Sequence, residues 1–521
     1  MKHMKKLVTL LLTLIMALAL AVPAAADTTY TITINNAAAG HTYEAYQIFA
    51  GDLTLQNDTK ILTEIEWGNG VSAAGQTALG EAAAKANVLK SEAAAFALAK
   101  EVAPYLQNPT TSGAQQNGQY IISGLAAGYY LVKDKDNTLT NQDDFYTAYI
   151  MKVVGDVIAA PKGEKPSMVK KVKHNETSTY GPVADHQIGD CVNFSVNCVI
   201  PNISSYTKYN FIIHDTMETS LTPDFTAENY IGKIFINDNK SREVDKQYYT
   251  MQLDGNSFAL TINVKKLLDD SVANTGETIV CYYDAILNEN AKIYTEGPNV
   301  NTAYLEYSNN PNSELDTGKT PESTVYVWTF TTGINKVNES GNALTGAKFV
   351  LSKSDSLKVA DMKCSDTGVP TVTTDLIQLV KVDEKTYRIA TAADTAADTA
   401  NTTYVIDAGN VTIQGLDDAI DYYLYETLAP SGFNSLKGPV HFKITAAYKD
   451  TGDKLAEGSP TVTVGTGTPS TDMAFKVVNQ SGATLPETGG IGTTLFYVVG
   501  SVLLVGAAVL LVTRKRMNNT K

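Results

Sequence analysis

Apolar and polar side chains alternate with a period of two through most of the chain, the pattern of strands that turn one face to water. Tyr30-Thr31-Ile32-Thr33-Ile34 is a clear instance. Between residues 27 and 162 the pattern predicts further strands at 43–49, 119–122, 129–132 and 145–154. One Ala-rich stretch, 76–106, breaks it and predicts a helix, because its apolar residues fall three and four apart. Residues 163–326 predict strands at 168–172, 191–200, 209–214, 258–264, 278–286 and 302–307, with turn-rich segments between them as in an antiparallel sandwich. Residues 327–480 repeat the style at 328–336, 347–352, 404–406, 411–413, 422–426, 440–445 and 474–478. The Pro-bounded linker Pro161-Lys162-Gly163-Glu164-Lys165-Pro166 parts the first segment from the second. The expected fold class is mainly β: three tandem sandwiches at 27–162, 163–326 and 327–480, the first with a helical insertion. An internal echo relates the first to the third: Ile121-Ile122-Ser123-Gly124-Leu125 before Tyr129-Tyr130-Leu131-Val132 matches Val411-Thr412-Ile413-Gln414-Gly415-Leu416 before Tyr422-Tyr423-Leu424-Tyr425.

Both ends depart from alternation. Lys2, Lys5 and Lys6 precede an apolar run, 7–22, and Ala24-Ala25-Ala26, which reads as a signal peptide over residues 1–26 with Asp27 starting the mature chain; a retained signal anchor is the alternative. Residues 491–513 carry no charge over a length sufficient for a hydrocarbon core of about 30 Å, and Arg514, Lys515 and Arg516 follow as a cytoplasmic flank. Leu485-Pro486-Glu487-Thr488-Gly489 stands just upstream.

The 521 residues carry a formal charge of −14. That balance excludes a nucleic-acid partner, which needs a clustered basic surface. Loss of both ends removes seven of the 41 basic residues and none of the 55 acids, so the mature chain carries about −21. Tyr (28) outnumbers Phe (14), as expected of strands with a wet face. The four cysteines have no C-x-x-C spacing and the six histidines no ligand spacing, so no metal or cofactor is expected. Cys198 shares a face with Val192, Phe194 and Val196 and reads as a buried thiol, a bridge to Cys281 being the alternative.

The pentapeptide, apolar span and basic tail together, at 481–521, resemble the sorting signal of Gram-positive cell-wall proteins. That resemblance implies a sortase whose cysteine attacks the Thr488 carbonyl and releases Gly489 onward, after transient membrane anchoring. Pro486 biases Leu485 toward an extended shape that suits such presentation. A permanent single span is the alternative.

Lys336 with Gly346-Ala347-Lys348-Phe349-Val350-Leu351, and Tyr423-Leu424-Tyr425-Glu426-Thr427-Leu428-Ala429-Pro430, resemble a collagen-adhesin B-type Ig-like domain. Ile188-Gly189-Asp190 with His214-Asp215-Thr216-Met217 resembles the A-type relative. Together with Tyr43-Glu44-Ala45-Tyr46-Gln47-Ile48-Phe49, the whole layout resembles the backbone pilins of sortase-assembled pili. The resemblance implies no enzyme of the ordinary kind, only autocatalytic Lys–Asn isopeptide bonds promoted by a buried acid. Carried onto this chain, they are Lys336, Asn479 and Glu426 in the third domain, and Lys170, Asn301 and Asp215 in the second. Strand parity agrees: Ile334 and Lys336 share a face, as do Val477 and Asn479, Met168 and Lys170, and Asn301 and Ala303. Lys171 and Asn309 remain alternatives in the second domain, and a plain buried Lys–Glu ion pair in the third. The first domain has Lys133 and Asp134 where the echo aligns Glu426, so no bond is expected there.

The resemblance further implies a pilus-linking lysine closing the first domain. Lys162 stands at that position, with Ala160 and Gly163 departing from the family's motif, and Lys165 is its competitor. The implied partners are a sortase, further copies of the chain in a filament, minor pilins and peptidoglycan. The implied location is the wall of a Gram-positive cell. A monomeric wall-anchored adhesin that binds a host matrix ligand is the alternative function.

Overall fold

The computed structural model describes residues 28–139, 141–142, 144–161, 164–224, 233–311, 313–397, 401–482 and 491–518. The expected signal peptide, Lys162 and the pentapeptide Leu485, Pro486, Glu487, Thr488 and Gly489 lie outside these residues.

The chain is mainly β. Tyr30–Asn35 is the centre of a three-stranded sheet, antiparallel to Gln119–Leu125 and parallel to Val157–Ala159. A second sheet runs Thr59–Trp67, Tyr43–Gln56, Gly128–Asp134, Ala148–Val153, with Thr110–Thr111 beside Tyr43–Gln56. Ile32, Ile34, Tyr120, Tyr43 and Val132 fill the space between the two sheets. The outer face of the second sheet, with Ile48, Phe49 and Leu131, is covered by Ala82, Ala86, Leu98 and Val102 from the Ala-rich insertion. Burial on both faces explains why Tyr43–Phe49 is apolar without clean alternation.

The structure departs from two local expectations. The Ala-rich stretch is three short helices, Ala73–Leu79, Ala82–Asn87 and Glu92–Val102, rather than one. Gly80 ends the first at φ 82°, and the Ser91 hydroxyl caps the third by accepting from Ala94 N–H. The strand expected at 43–49 continues to Gln56 and turns back into Thr59–Trp67. Asn57 and Asp58 make that two-residue turn, both at positive φ as a type I′ hairpin requires.

The second sandwich packs a sheet of Met168–Lys173, Cys191–Val199 and Thr278–Leu287, with shorter strands at its margins, against a sheet in which Ser323–Trp328, Asn299–Ser308, Phe211–Met217 and Ser257–Ile262 lie side by side. The third packs Phe330–Asn338, flanked by Asn410–Leu416 and the parallel Ala474–Asn479, against Ala347–Ser352, Asp421–Leu428 and Val440–Thr445. The expected strand at 328–336 is therefore two. Trp328 ends a strand of the second sandwich, Phe330 begins the third, and the buried Thr329 hydroxyl between them donates to Leu416 C=O at 3.1 Å.

One continuous apolar core runs through the second and third sandwiches. At their junction Ile188 N–H donates to Gly415 C=O (3.0 Å) and Trp328 Nε1–H to Gly452 C=O (2.9 Å). The first and second sandwiches meet through Tyr146 N–H to Asn309 C=O (2.7 Å) and Lys319 N–H to Gln142 C=O (2.8 Å). Cys198 and Cys281 are buried free thiols on adjacent strands.

Gly415 has φ 84°, and a Cβ there would stand 2.7 Å from the Ile188 side chain. Gly415→Ala should destabilise the joined second and third sandwiches by about 2 kcal/mol in urea unfolding. An unchanged midpoint would contradict this account of the junction.

Candidate functional site

Met168–Lys173 alternates buried and outward residues, so the strand that places Met168 and Val172 in the core places Lys170 there too. Lys171 points the other way and is only half-buried. Asp215 and Asn301 sit on neighbouring antiparallel strands of the opposite sheet, Asp215 facing Ala303 and Asn301 facing Met217 in register. All three side chains are at most 2 % exposed. The Lys170 ammonium donates to Asp215 Oδ2 and to the Tyr283 hydroxyl, and lies 5.5 Å from the centre of the Phe194 ring. Tyr283 O–H donates to Asp215 Oδ2 (2.5 Å) and accepts from Asn301 Nδ2 (3.1 Å). The structure thus brings Lys170, Asp215 and Asn301 together and adds Tyr283, which the pattern alone marks only as core. Asn309 is elsewhere, its Nδ2 donating to Asp144 C=O (3.3 Å) where the first two sandwiches meet.

Burial governs the electrostatics. It brings the Lys170 amine down to about 8 despite the Asp215 charge, and it raises the Asp215 carboxyl although Lys170, Tyr283 and Asn301 all pull it down. Asp215 Oδ1 and Asn301 Oδ1 are buried without a hydrogen-bond partner.

In the third sandwich Phe330–Asn338 and Ala474–Asn479 are parallel neighbours, Lys336 opposite Val477 and Asn338 opposite Asn479. Lys336 and Asn479 are fully buried. The Lys336 ammonium donates to Asn479 Oδ1 and to Val477 C=O (3.0 Å), and stands 4.0 Å from Glu426 Oε1. Its direct side-chain contact is therefore the carboxamide, with the acid one step back. Asn479 Nδ2 donates to Glu426 Oε2 (3.0 Å) and to Asn434 C=O (2.7 Å), while Leu436 N–H holds the same Glu426 oxygen at 2.8 Å. Burial lowers the Lys336 amine. The geometry sets a nucleophile on the carbonyl side of an amide and an acid on its leaving nitrogen.

The first sandwich holds a different cluster, which sequence reasoning missed. Lys133 reaches out to Asp136 (2.7 Å), and the buried Asp134 receives His41 Nδ1 (2.7 Å) and Thr147 N–H (2.7 Å). His41 Nε2 meets Asp144 (3.0 Å); burial pulls the imidazole down, but the two acids outweigh it and the net shift is upward.

Tyr283→Phe removes the hydroxyl that joins Lys170, Asp215 and Asn301 while keeping the ring. It should cost about 1–3 kcal/mol in urea unfolding, the penalty for buried polar groups losing a partner; a neutral effect would show that the hydroxyl does not organise the cluster.

Residues 477–519 match the LPXTG cell wall anchor motif and residues 330–454 the SpaA prealbumin-like fold domain. The helix Ile491–Asn518 includes a segment, Tyr497–Arg516, long and apolar enough to cross a membrane. Over 452 residues, 78 % of each chain, the sequence is 27 % identical to the trypsin-resistant surface T6 protein of Streptococcus pyogenes serotype M6. Among solved structures it is similar to the T6 backbone pilin of serotype M6 S. pyogenes (15 % identity, TM-score 0.48, covering 88 % of this chain and 100 % of that one). It is also similar to the full-length major pilin SpaD of Corynebacterium diphtheriae (14 % identity, TM-score 0.46, covering 88 % and 98 %). The chain is a cell-wall-anchored surface protein that carries an LPXTG anchor and a prealbumin-like domain, similar along most of its length to the T6 surface protein.

Proposed function

We propose that this chain is the major repeating subunit of a covalent cell-surface pilus, held rigid by Lys170–Asn301 and Lys336–Asn479 isopeptide bonds. The contact of the Lys336 amine with the Asn479 carboxamide oxygen, in a fully dry core, is the observation that carries the reading. In the reaction the neutral amine attacks the Asn479 side-chain carbonyl carbon. Glu426, hydrogen-bonded to the amide nitrogen, moves a proton from the amine to that nitrogen, and ammonia leaves as the C–N bond forms. Asp215 has the same part in the second sandwich, with Tyr283 linking it to Asn301. The two bonds differ mechanically. Lys170–Asn301 joins the two sheets of a sandwich, whereas Lys336–Asn479 joins first and last strands within one sheet. The latter closes a loop spanning 143 positions, which the chain-entropy relation makes worth about 5 kcal/mol against unfolding.

A sortase would join Thr488 of one subunit to the Lys162 amine of the next, giving an open head-to-tail filament. The 27 % identity to a surface protein and the LPXTG anchor support this part of the reading.

Intact-mass measurement of the mature chain should show two ammonia molecules missing. Lys336→Ala and Glu426→Ala should each restore one, and Asp215→Ala the other; a full mass in the parent refutes both bonds. Lys162→Ala should abolish the SDS-resistant ladder in wall extracts while monomer is still exported. A ladder that persists discards Lys162 in favour of another lysine, Lys165 first, and a parent chain without any ladder would favour a monomeric adhesin.

A further inference from the structure

The junction between the second and third sandwiches contains a group of acids that neither cross-link uses. Asp185 ends the short strand Val183–Asp185, which pairs with the last strand of the second sandwich. Asp417 and Asp418 form the turn between Asn410–Leu416 and Asp421–Leu428 of the third. Each offers a carboxylate oxygen within 4.8 Å of the other two, and all three residues are at most 5 % exposed. That spacing is the greatest that two oxygens on one cation can have at bond lengths of about 2.4 Å.

The hydrogen bonds around them are incomplete. Tyr448 O–H donates to Asp185 Oδ2 (2.7 Å), Ala446 N–H to Asp418 Oδ2 (2.8 Å) and Asn175 Nδ2 to Asp417 Oδ2 (2.5 Å). Asp185 Oδ1 and Asp418 Oδ1 are buried and have no hydrogen-bond donor. Among the described residues no lysine or arginine forms an ion pair with any of the three; His174 Nε2, 3.7 Å from Asp185, is the nearest basic group. Carboxylates that face one another in a dry place need either a shared proton or a cation between them.

We propose that Asp185, Asp417 and Asp418 bind one divalent cation of the calcium type, which clamps the second sandwich to the third. The donors are all oxygen, the choice of a hard cation, and they come from both sandwiches, so the ion would bridge the joint. Glu176, which forms a second group with His174 and Asp185, stands beside the site and can supply a further oxygen. Extracellular calcium modules bind at about 0.1–1 mM, which suits a surface protein. The inference does not depend on pilus assembly or on the isopeptide bonds.

The test uses the full chain in detergent, stripped with a chelator. Calorimetric titration with CaCl2 should give one ion per chain, and 10 mM calcium should raise the melting temperature by about 4 °C. Asp417→Asn and Asp418→Asn should each weaken binding at least tenfold and lose the shift. Terbium luminescence excited through tyrosine in the unaltered chain, with Tyr448 beside the site, should appear and be displaced by calcium; this readout stands even if a variant does not fold. Four results would overturn the proposal: no calcium-dependent shift, the same shift in the Asn variants, Asn variants more stable than the parent whatever the calcium level, which is the mark of a shared proton, or zinc bound in place of calcium.

Discussion

A primary amine inside a dry β-sandwich core is the constraint on which the second and third sandwiches depend. Burying a charged lysine is costly unless it is paired or neutral, and a strand with period two cannot turn Lys170 outward without exposing Met168 and Val172. The same holds for Lys336 between Ile334 and the strand's end. Each lysine is met by an acid from the opposite sheet and by a buried asparagine. A structural ion pair alone would leave the Asn301 carboxamide oxygen buried without a partner. Conversion of amine and carboxamide into one neutral amide, with loss of ammonia, removes the buried charge instead of merely balancing it.

The surroundings serve this arrangement. Phe194 and Tyr283 flank Lys170, and Phe349 lies over Lys336, so water is kept from both amines. Continuity of the core from the second sandwich into the third means that the two units share one packed interior instead of hanging on a linker. The first sandwich is built differently, with a hydrogen-bonded His41–Asp134–Asp144 cluster, a helical cover over one sheet, and a backbone contact to the second through Asn309 and Gln142.

Much of this was legible in the residues because strand parity is a local property. Lys170 against Lys171, and Lys336 in phase with Ile334, follow from alternation, and the structure places them on the faces so expected. Other features depend on contacts far apart in the chain. Tyr283 looks like any core tyrosine until the opposite sheet brings Asp215 and Asn301 to its hydroxyl. Asp185, at the end of a short strand, and Asp417, in a turn, are unremarked acids until the two sandwiches dock. The Ala-rich stretch reads as one helix because composition does not reveal that Gly80 and Ser91 divide it. The hairpin after Phe49 was readable in principle, from Asn57-Asp58 between Leu53-Thr54-Leu55 and Ile61-Leu62.

Peptide mapping tests the two proposed cross-links most directly. Exhaustive proteolysis of the denatured mature chain, followed by tandem mass spectrometry, should yield branched peptides joining Lys336 to Asn479 and Lys170 to Asn301, each lacking one ammonia. Recovery of linear peptides with unmodified Lys336, Asn479, Lys170 and Asn301 would contradict the account.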